Sequence, residues 1–259
     1  DAAVRRSVPV MDATASVIPI INPEVTSLEE ESEEDSNKEV MLLVEDNQEL
    51  RTFLRTIFSP VYRVIEAVDG MDGWSKALKF VPDIIISDVM MPEKDGIEMT
   101  KELRADMTTS HIPIVLLTAK TSIESKLEGL EYGADDYITK PFSATYLKAR
   151  VENLLAQRHK LQSFYRDNLM NGVLSSTAVS EEVVLEEEKL PEMSPNDRKF
   201  MDKLIELMEK NMDNGDLVVD DLVREVAVSR SVFFKKLKTL TGLAPIEFIK
   251  EMRINRAAQ

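Results

Sequence analysis

Short apolar runs alternate with helix-length segments along the middle of this chain, and that alternation restricts its fold more than any other feature. Five of these runs are predicted to be strands, at residues 39–44, 62–66, 83–87, 113–117 and 136–139. Strands that alternate with helices are typical of parallel sheets covered by helices on both faces. The third run carries Ile84, Ile85 and Ile86 without polar alternation, as expected of a central, fully covered strand. The sequence therefore predicts an α/β domain with a doubly wound, five-stranded parallel sheet.

The α/β domain is predicted to span residues 39–156, between two acidic segments. Residues 1–38 show no sustained period and end in an acidic cluster, so we interpret them as a linker or the tail of a preceding domain. The last helix of the domain starts near Ser143 and meets no helix breaker before about Asn171. We expect it to extend to about residue 170 and to project as a stalk, with a merely solvated helix end as the alternative. Residues 171–193 form a second acidic linker.

A small all-α domain is predicted over residues 194–259. It begins at Ser194-Pro195, where serine is a preferred N-cap and proline a preferred first helical residue. Further on, residues 218–242 have the spacing of a helix-turn-helix unit, with a turn at 227–229 and Ser229 as cap of the second helix. Phe233, Leu237 and Leu240 form the stripe of that helix that is expected in the core. A second stripe is our candidate for contact with a DNA major groove, and its residues are Arg230, Ser231, Phe234, Lys235 and Lys238.

The charge of the chain is unevenly distributed, which matters for that candidate. The net charge of −15 argues against nucleic-acid binding if it is spread evenly. Residues 229–259, however, hold seven Lys or Arg against two acidic residues. A DNA phosphate backbone interacts with this local basic surface. DNA binding by the small domain is therefore compatible with the negative net charge of the whole chain.

Composition also restricts compartment and metal chemistry. The chain has no cysteine and only two histidines, which excludes disulfides and makes an oxygen-ligated metal the expected kind. No run of about 18 apolar residues occurs, and the first residues lack the pattern of a signal peptide. We expect the segment to be cytoplasmic and without direct membrane contact. Anchoring of a longer parent chain in the inner membrane through an upstream region is left open.

Polar residues follow four of the predicted strands where those strands end. Glu45-Asp46 follows the first strand, Asp88 the third, Thr118 the fourth and Lys140-Pro141 the fifth. In an open parallel sheet, this edge is where ligands bind. Carboxylates gathered there repel one another unless a cation is present, and an all-oxygen set favours Mg²⁺ or Mn²⁺. Asp88 is then placed to attack phosphorus, with Lys140 and Thr118 contacting the phosphoryl oxygens.

Four sequence motifs resemble those of the response-regulator receiver family. They are "LLVEDN" at 42–47, "IIISDVMMPEKDG" at 84–96, "VLLTA" at 115–119 and "GADDYITKPF" at 133–142. The resemblance implies a flavodoxin-like sheet with strand order 2-1-3-4-5. It also implies Asp88 as phosphoacceptor, Asp46 as direct metal ligand, Glu45 in the metal shell and Met90 as a ligand through its backbone carbonyl. Glu45 replaces the commoner aspartate, so its ligation stays open.

The same resemblance implies a switch beside the acidic cluster. Thr118 and Lys140 contact the phosphoryl group, and a cis bond before Pro141 directs the lysine into the site. Tyr137 occupies the aromatic switch position, which turns inward when Thr118 moves toward the phosphoryl group. A half-buried strand residue with no switching role is the alternative for Tyr137.

The stretch "SRSVFFKKLKTLTGLAPIEFIKEMRINRAAQ" at 229–259 resembles the AraC-type DNA-binding family. That family uses two helix-turn-helix units joined by a long helix, so residues 194–259 are expected to be a partial domain containing the first unit. A receiver followed by an AraC-type domain resembles the C-terminal part of bacterial hybrid two-component proteins. The implied partners are a histidine kinase domain, in the same chain or a separate one, and a DNA operator, while a homodimer is left open. The segment itself is expected to accept phosphate, with possible self-dephosphorylation, and the parent chain to carry any kinase activity.

Two enzyme classes fit these residues less well, and one non-enzymatic function is the stronger alternative. An aspartyl-nucleophile phosphatase requires a second aspartate where Met90 stands. A dinucleotide-binding enzyme requires a glycine-rich turn where Glu45-Asp46-Asn47 stands. The stronger alternative is a receiver that acts only through protein contacts, with the helical part as a dimerisation element.

Overall fold

The five strands form one parallel sheet in the order β2-β1-β3-β4-β5. This is a computed structural model, and it describes residues 38–119, 133–170, 193–212, 214 and 217–257. The strands are β1 (Val40–Val44), β2 (Arg63–Ala67), β3 (Ile84–Asp88), β4 (Ile114–Thr118) and β5 (Asp136–Thr139). The predicted five-stranded parallel sheet is confirmed. Four strands start one residue later than the sequence indicated, a shift within the usual uncertainty of element ends.

Helices cover both faces of the sheet, as the apolar strands require. They are α1 (Gln48–Phe58), α2 (Gly70–Phe80), α3 (Gly96–Ala105) and α4 (Ala144–Met170). Successive strand residues point to opposite faces. On β1, Leu42 therefore joins the core formed with α2 and α3, whereas Met41 and Leu43 join the core formed with α1 and α4.

The helices that follow strands begin at the sheet edge through side-chain caps. Asn47, Asp69 and Asp95 each accept a hydrogen bond from the backbone N–H three residues later. Such caps satisfy N–H groups that the first helical turn leaves free. At the start of α3, a Cβ atom on Gly96 would lie 2.1 Å from the carbonyl oxygen of Asp88. Only glycine allows α3 to begin this close to the end of β3.

Among the described residues of 193–257, four helices form the helical part of the chain. They are α5 (Pro195–Lys210), α6 (Val219–Val226), α7 (Arg230–Thr241) and α8 (Pro245–Ala257). Its core contains the predicted stripe of α7, where Phe233 and Leu237 are fully buried. Ala227 ends α6 in a left-handed conformation, and Ser229 caps α7 by accepting the N–H of Val232 at 3.3 Å. A turn therefore separates α6 from α7 at the predicted position.

The second half of α4 packs against the helical part, so the expectation of a projecting stalk is wrong. Leu161 is buried, and Gln162 Nε2 donates to the Thr239 carbonyl at 2.6 Å. Tyr165 packs against the core of the helical part. The second half of this helix thus contacts α7 and α8 within the same chain. Such contacts remove apolar surface from water, which an isolated stalk leaves exposed.

Two predicted segments lie largely outside the described residues. The linkers at 1–38 and 171–193 fall there except for their last residues. Among the helices that the structure describes, none is long and apolar enough to cross a membrane.

We predict that His111 makes the folded chain less stable at mildly acidic pH. Burial, and next the nearby Lys236 ammonium, lower the pKa of His111 from 6.5 to about 3. Below pH 6.5 the unfolded chain binds a proton at this ring and the folded chain does not. The free energy of unfolding should therefore fall as the pH drops from 6.5 toward 3, by up to about 1.4 kcal/mol per pH unit.

Urea unfolding at several pH values between 7.5 and 5.5 checks this prediction. His111→Gln should lose that part of the pH dependence. The matched control is His159→Gln, since the His159 side chain is 61% exposed. Equal pH dependence in the two variants would contradict the assignment.

Candidate functional site

The sheet brings the predicted acidic residues and lysine together at the carboxyl ends of the strands. Asp88 is the last residue of β3, Glu45 and Asp46 follow β1, and Lys140 follows β5. The Lys140 Nζ atom lies 2.9 Å from Asp88 Oδ2 and 3.0 Å from Glu45 Oε2. One ammonium group therefore pairs with two carboxylates that are 95 and 52 residues distant from it in the sequence.

Burial strengthens the electrostatic interactions among these charged groups. The Glu45 residue is 1% exposed and Asp88 is 8% exposed. Burial, followed by the Asp88 charge, raises the pKa of Glu45, and Lys140 opposes that rise. Burial acts to lower the pKa of Lys140, but its hydrogen bonds and charge interactions with Asp88 and Glu45 outweigh that effect and raise it. Lys140 is therefore a firmly charged group that balances the two buried acids.

The three carboxylates are arranged as ligands of a hard cation. One oxygen atom from each of Glu45, Asp46 and Asp88 lies within 4.8 Å of the others. Asp46 is exposed, which leaves the cluster open to water or phosphate on one side. An all-oxygen set with an open side fits Mg²⁺ or Mn²⁺. The predicted contribution of the Met90 carbonyl stays a prediction.

Backbone contacts fix the Asp88 carboxylate in place. Its Oδ1 atom accepts the N–H of Val89 at 2.8 Å, while Oδ2 faces Lys140. The Ser87 hydroxyl donates to the Asp88 carbonyl at 2.8 Å, and Gly96 N–H donates to the Val89 carbonyl at 2.9 Å. The side chain is thus held at both oxygens, on a strand end whose backbone is also bonded.

Arg51 supports the acidic loop, a role that no motif in the sequence indicated. Its guanidinium donates to the Glu45 carbonyl at 2.6 Å and to the Asp46 carbonyl at 3.3 Å. The same group lies 3.9 Å from a Glu66 carboxylate oxygen on β2. The available signal was an arginine in the first helical turns after an acidic pair, which is too common a pattern to be specific.

Thr118 and Lys140 lie at the same edge, and Tyr137 lies two residues before the end of β5. Thr118 is fully buried at the end of β4, and its carbonyl accepts the N–H of Lys140 at 2.6 Å. Tyr137 is half-buried on β5 and packs against the core on the α2 and α3 face. The Lys140–Pro141 peptide bond is cis, as the resemblance implied. The roles of these residues in switching stay predictions.

The candidate DNA-contacting residues do not all point the same way. Ser231 and Lys238 are exposed on α7, and the Arg230 guanidinium lies 5.0 Å from the centre of the partly buried Phe234 ring and pairs with Asp220. Lys235 is different: its Nζ atom lies 3.4 Å from the Phe80 carbonyl and 4.0 Å from Asp83 Oδ1. In this arrangement Lys235 faces the α/β domain, and its role as a DNA contact stays a prediction.

Comparisons with known proteins identify part of the chain. A family model described as "Response regulator receiver domain" matches residues 41–152. The chain is 36% identical over 236 residues to histidine kinase P4 of Formosa agariphila, a match that covers 90% of this chain and 16% of that protein. It is 40% identical over 136 residues to hybrid signal transduction histidine kinase D of Dictyostelium discoideum, covering 52% of this chain and 9% of that protein. The Francisella response regulator 1452 receiver domain covers 46% of the chain at 35% identity, with 98% of that structure matched and a TM-score of 0.44. The chain thus spans a small fraction of the two kinases.

We predict that Lys140→Met tightens Mg²⁺ binding. The substitution removes an ammonium that pairs with the same carboxylates that would hold the ion. The affinity should rise about three- to tenfold, on the order of 1 kcal/mol for one partly solvated charge interaction. Isothermal titration calorimetry with MgCl₂ measures the change.

The matched control for this titration is Lys148→Met, which removes an exposed lysine of α4. That variant should bind Mg²⁺ like the unsubstituted chain. An unchanged or lower affinity in Lys140→Met would refute competition between the ammonium and the ion.

Proposed function

Because residues 41–152 are a response regulator receiver domain, we propose that Asp88 accepts a phosphoryl group from a histidine kinase and thereby controls the helical part of the chain. One observation carries the proposal: the buried Asp88 carboxylate lies among two further carboxylates and 2.9 Å from the Lys140 ammonium. Such a set is suited to receive a phosphoryl group and to balance its charge.

The transfer exchanges one bond to phosphorus for another. An Asp88 carboxylate oxygen attacks the phosphorus of a phosphorylated donor histidine, the phosphorus–nitrogen bond breaks, and the imidazole leaves with its electron pair. Asp88 becomes an acyl phosphate. Lys140 then exchanges its contact with Asp88 for a contact with the phosphoryl oxygens, and the Thr118 hydroxyl approaches the same group. Val89 N–H holds the Asp88 side chain in its orientation.

A divalent cation completes this site. Glu45, Asp46 and Asp88 would hold Mg²⁺ or Mn²⁺, with the Met90 carbonyl as a further ligand, and their clustered oxygens support that assignment. When bound, the ion balances negative charge on the transferred phosphoryl group.

The donor kinase is proposed to belong to the same parent chain. The similarity to histidine kinase P4 over nearly the whole chain supports this, as does the similarity to hybrid kinase D. Kinase activity would then lie outside the segment. For the segment itself we propose phosphate acceptance, with slow loss of the phosphoryl group to water.

The helical part is proposed to be the first helix-turn-helix unit of an AraC-type DNA-binding domain. The tight turn between α6 and α7 supports this, together with the exposed Arg230, Ser231 and Lys238 on α7. Residues 229–259 hold seven basic residues, and the exposed ones, such as Arg230 and Lys238, give the unit a local charge suited to phosphate contacts. The phosphorylated protein would then regulate transcription at a DNA operator.

A second function is favoured by a different surface. A groove of about 590 Å³ in the helical part is lined mainly by apolar side chains, among them the exposed Val218, Ile246 and Ile254. Exposed apolar surface of this kind also fits protein contacts. The alternative function is therefore a receiver that acts through protein contacts only, with the helical part as a dimerisation element.

We predict that acetyl phosphate with Mg²⁺ adds one phosphoryl group to the chain, at Asp88. Intact-mass spectrometry should show the gain in the unsubstituted protein and none in Asp88→Asn, because an amide is too weak a nucleophile. Asp46→Asn should fold normally and lose most of the gain, because it removes an exposed metal ligand. A normal gain in Asp88→Asn would overturn the assignment of the phosphoacceptor.

We predict that Lys238→Ala weakens DNA binding by the phosphorylated chain. Fluorescence anisotropy with a mixed-sequence duplex over a salt series should show lower affinity and a log–log salt slope smaller by about one, as for one lost phosphate contact. The control is Lys199→Ala, which changes an exposed lysine on α5. Dimer formation without duplex binding at any salt concentration would favour the protein-contact alternative.

A further inference from the structure

We propose that the receiver domain holds the helical part in a docked state through a buried contact of Ser110 with Asp197 and Lys236, and that this contact closes one flank of α7. Ser110 lies in the loop between α3 and β4, Asp197 in the first turn of α5, and Lys236 in the middle of α7. The docking is a property of the described residues. Only its consequence for DNA rests on the function proposed above.

The contact is polar and fully covered. Lys236 Nζ lies 2.8 Å from Asp197 Oδ1 and donates to Ser110 Oγ at 2.9 Å, while Ser110 Oγ donates to Asp197 Oδ1 at 2.8 Å. Lys236 also donates to the Met107 carbonyl. Lys236 is 0% exposed and Asp197 is 1% exposed. Charged residues are almost never buried to this degree without such partners, so the receiver loop and the helical part are fitted to each other.

Further contacts surround this charged centre. Val232 of α7 packs into the receiver core that contains Ile112, and Met107 of the receiver packs against the core of the helical part. Asn196 Nδ2 donates to the Arg104 carbonyl at 2.8 Å, in the last turn of α3. Carbonyl groups at a helix end need partners from outside the helix, and α5 supplies one here. The surface thus combines apolar packing with satisfied polar groups.

The arrangement of charges allows the docked state to open. Asp197 and Lys236 both belong to the helical part, so separation from the receiver leaves the two charges paired with each other. The Ser110 hydroxyl and the Met107 carbonyl can then bind water. No buried charge loses its partner on opening, which is the event that makes breaking an ion pair costly. The interface can therefore be specific in the closed state and still separate.

Docking covers one flank of α7. Val232, Lys235 and Lys236 occupy neighbouring positions on one side of this helix, and all three contact the receiver. A helix in a major groove about 12 Å wide has groove walls on both sides. In the docked state the receiver occupies the space that one wall of the DNA groove would need. Arg230, Ser231 and Lys238 remain accessible, but α7 cannot enter a groove fully.

The docking surface lies at the opposite end of the sheet from the phosphoacceptor. Ser110 precedes the start of β4, and Phe80 and Asp83, which contact Lys235, precede the start of β3. Asp88 lies at the other end of β3. A substitution at Ser110 can thus open the interface while leaving the acidic cluster intact.

Thiol labelling tests the docking directly, because the natural chain has no cysteine. Val232→Cys places a thiol at a position that is 9% exposed against the receiver core, and Ser231→Cys places one at an exposed neighbour. The rate of maleimide labelling is measured for each, alone and combined with Ser110→Asp. That substitution sets a second carboxylate beside Asp197. Ser75→Asp is the matched control, since it adds the same charge at an exposed position of α2.

The expected result is slow labelling at position 232, at least about tenfold slower than at 231, because a thiol in a packed interface reacts only after opening. Ser110→Asp should bring the two rates within about threefold, and Ser75→Asp should leave them apart. Hydrogen exchange in the Ser110→Asp protein should rise in residues 104–112 and 230–241. Exchange in β1, β3 and β4 should stay unchanged, and this shows that the sheet stays folded. Equal rates at 231 and 232 in the starting protein, or an unchanged slow rate in Ser110→Asp, would overturn the proposal.

A second measurement separates this inference from the proposed function. A mixed-sequence duplex should bind Ser110→Asp several-fold more tightly than Ser75→Asp, as followed by fluorescence anisotropy. Faster labelling at 232 with tighter duplex binding supports both docking and DNA recognition. Faster labelling with no duplex binding at any salt concentration supports the docking contact and overturns the DNA-binding function. Tighter duplex binding without faster labelling overturns the docking contact.

Discussion

The contact of Lys140 with Asp88 and Glu45 is the interaction on which the proposed chemistry depends. Two buried carboxylates side by side repel each other, and the ammonium at 2.9 and 3.0 Å balances them in the absence of any other cation. The same three groups can also exchange their contacts. A divalent ion can take over the carboxylates, and the lysine is then free to contact a phosphoryl group on Asp88. The site is thus prepared for incoming negative charge before any ligand arrives.

The parallel sheet explains why these residues meet. It also places the acidic cluster and the docking contact at opposite ends of the strands. Every strand ends at the same edge, so β1, β3 and β5 deliver Glu45, Asp88 and Lys140 to one place. The beginnings of β3 and β4 lie at the opposite edge, where the loop carrying Ser110 contacts the helical part. The phosphoacceptor therefore lies at the carboxyl ends of the strands, and the docking contact lies at their amino ends. Any influence of Asp88 on α7 has to pass through the strands and helices between them.

Local patterns in the sequence were sufficient for the sheet and for the acidic cluster. Three successive isoleucines before Asp88 indicated a covered central strand, and polar residues after the strands indicated a site at their common edge. Contacts between the two halves of the chain were not accessible in this way. Asp197 is a plausible first-turn residue of any helix, and Lys236 is one of several lysines on α7. Only the folded chain shows that they are buried together against Ser110, because nothing in a local pattern encodes a distance across 87 or 126 residues. The contact of Lys235 with the Phe80 carbonyl was not predicted for the same reason.

A crystal structure of the chain with beryllofluoride and Mg²⁺ is the sharpest test of phosphate acceptance at Asp88, because this anion mimics a phosphoryl group attached to a carboxylate. We expect beryllofluoride bonded to an Asp88 carboxylate oxygen and one Mg²⁺ ion held by Asp46 and Asp88. We also expect that Lys140 Nζ has left Asp88 Oδ2 for a fluorine atom. An anion bound elsewhere, or a Lys140 that still pairs with both Asp88 and Glu45 beside a bound anion, would contradict this expectation.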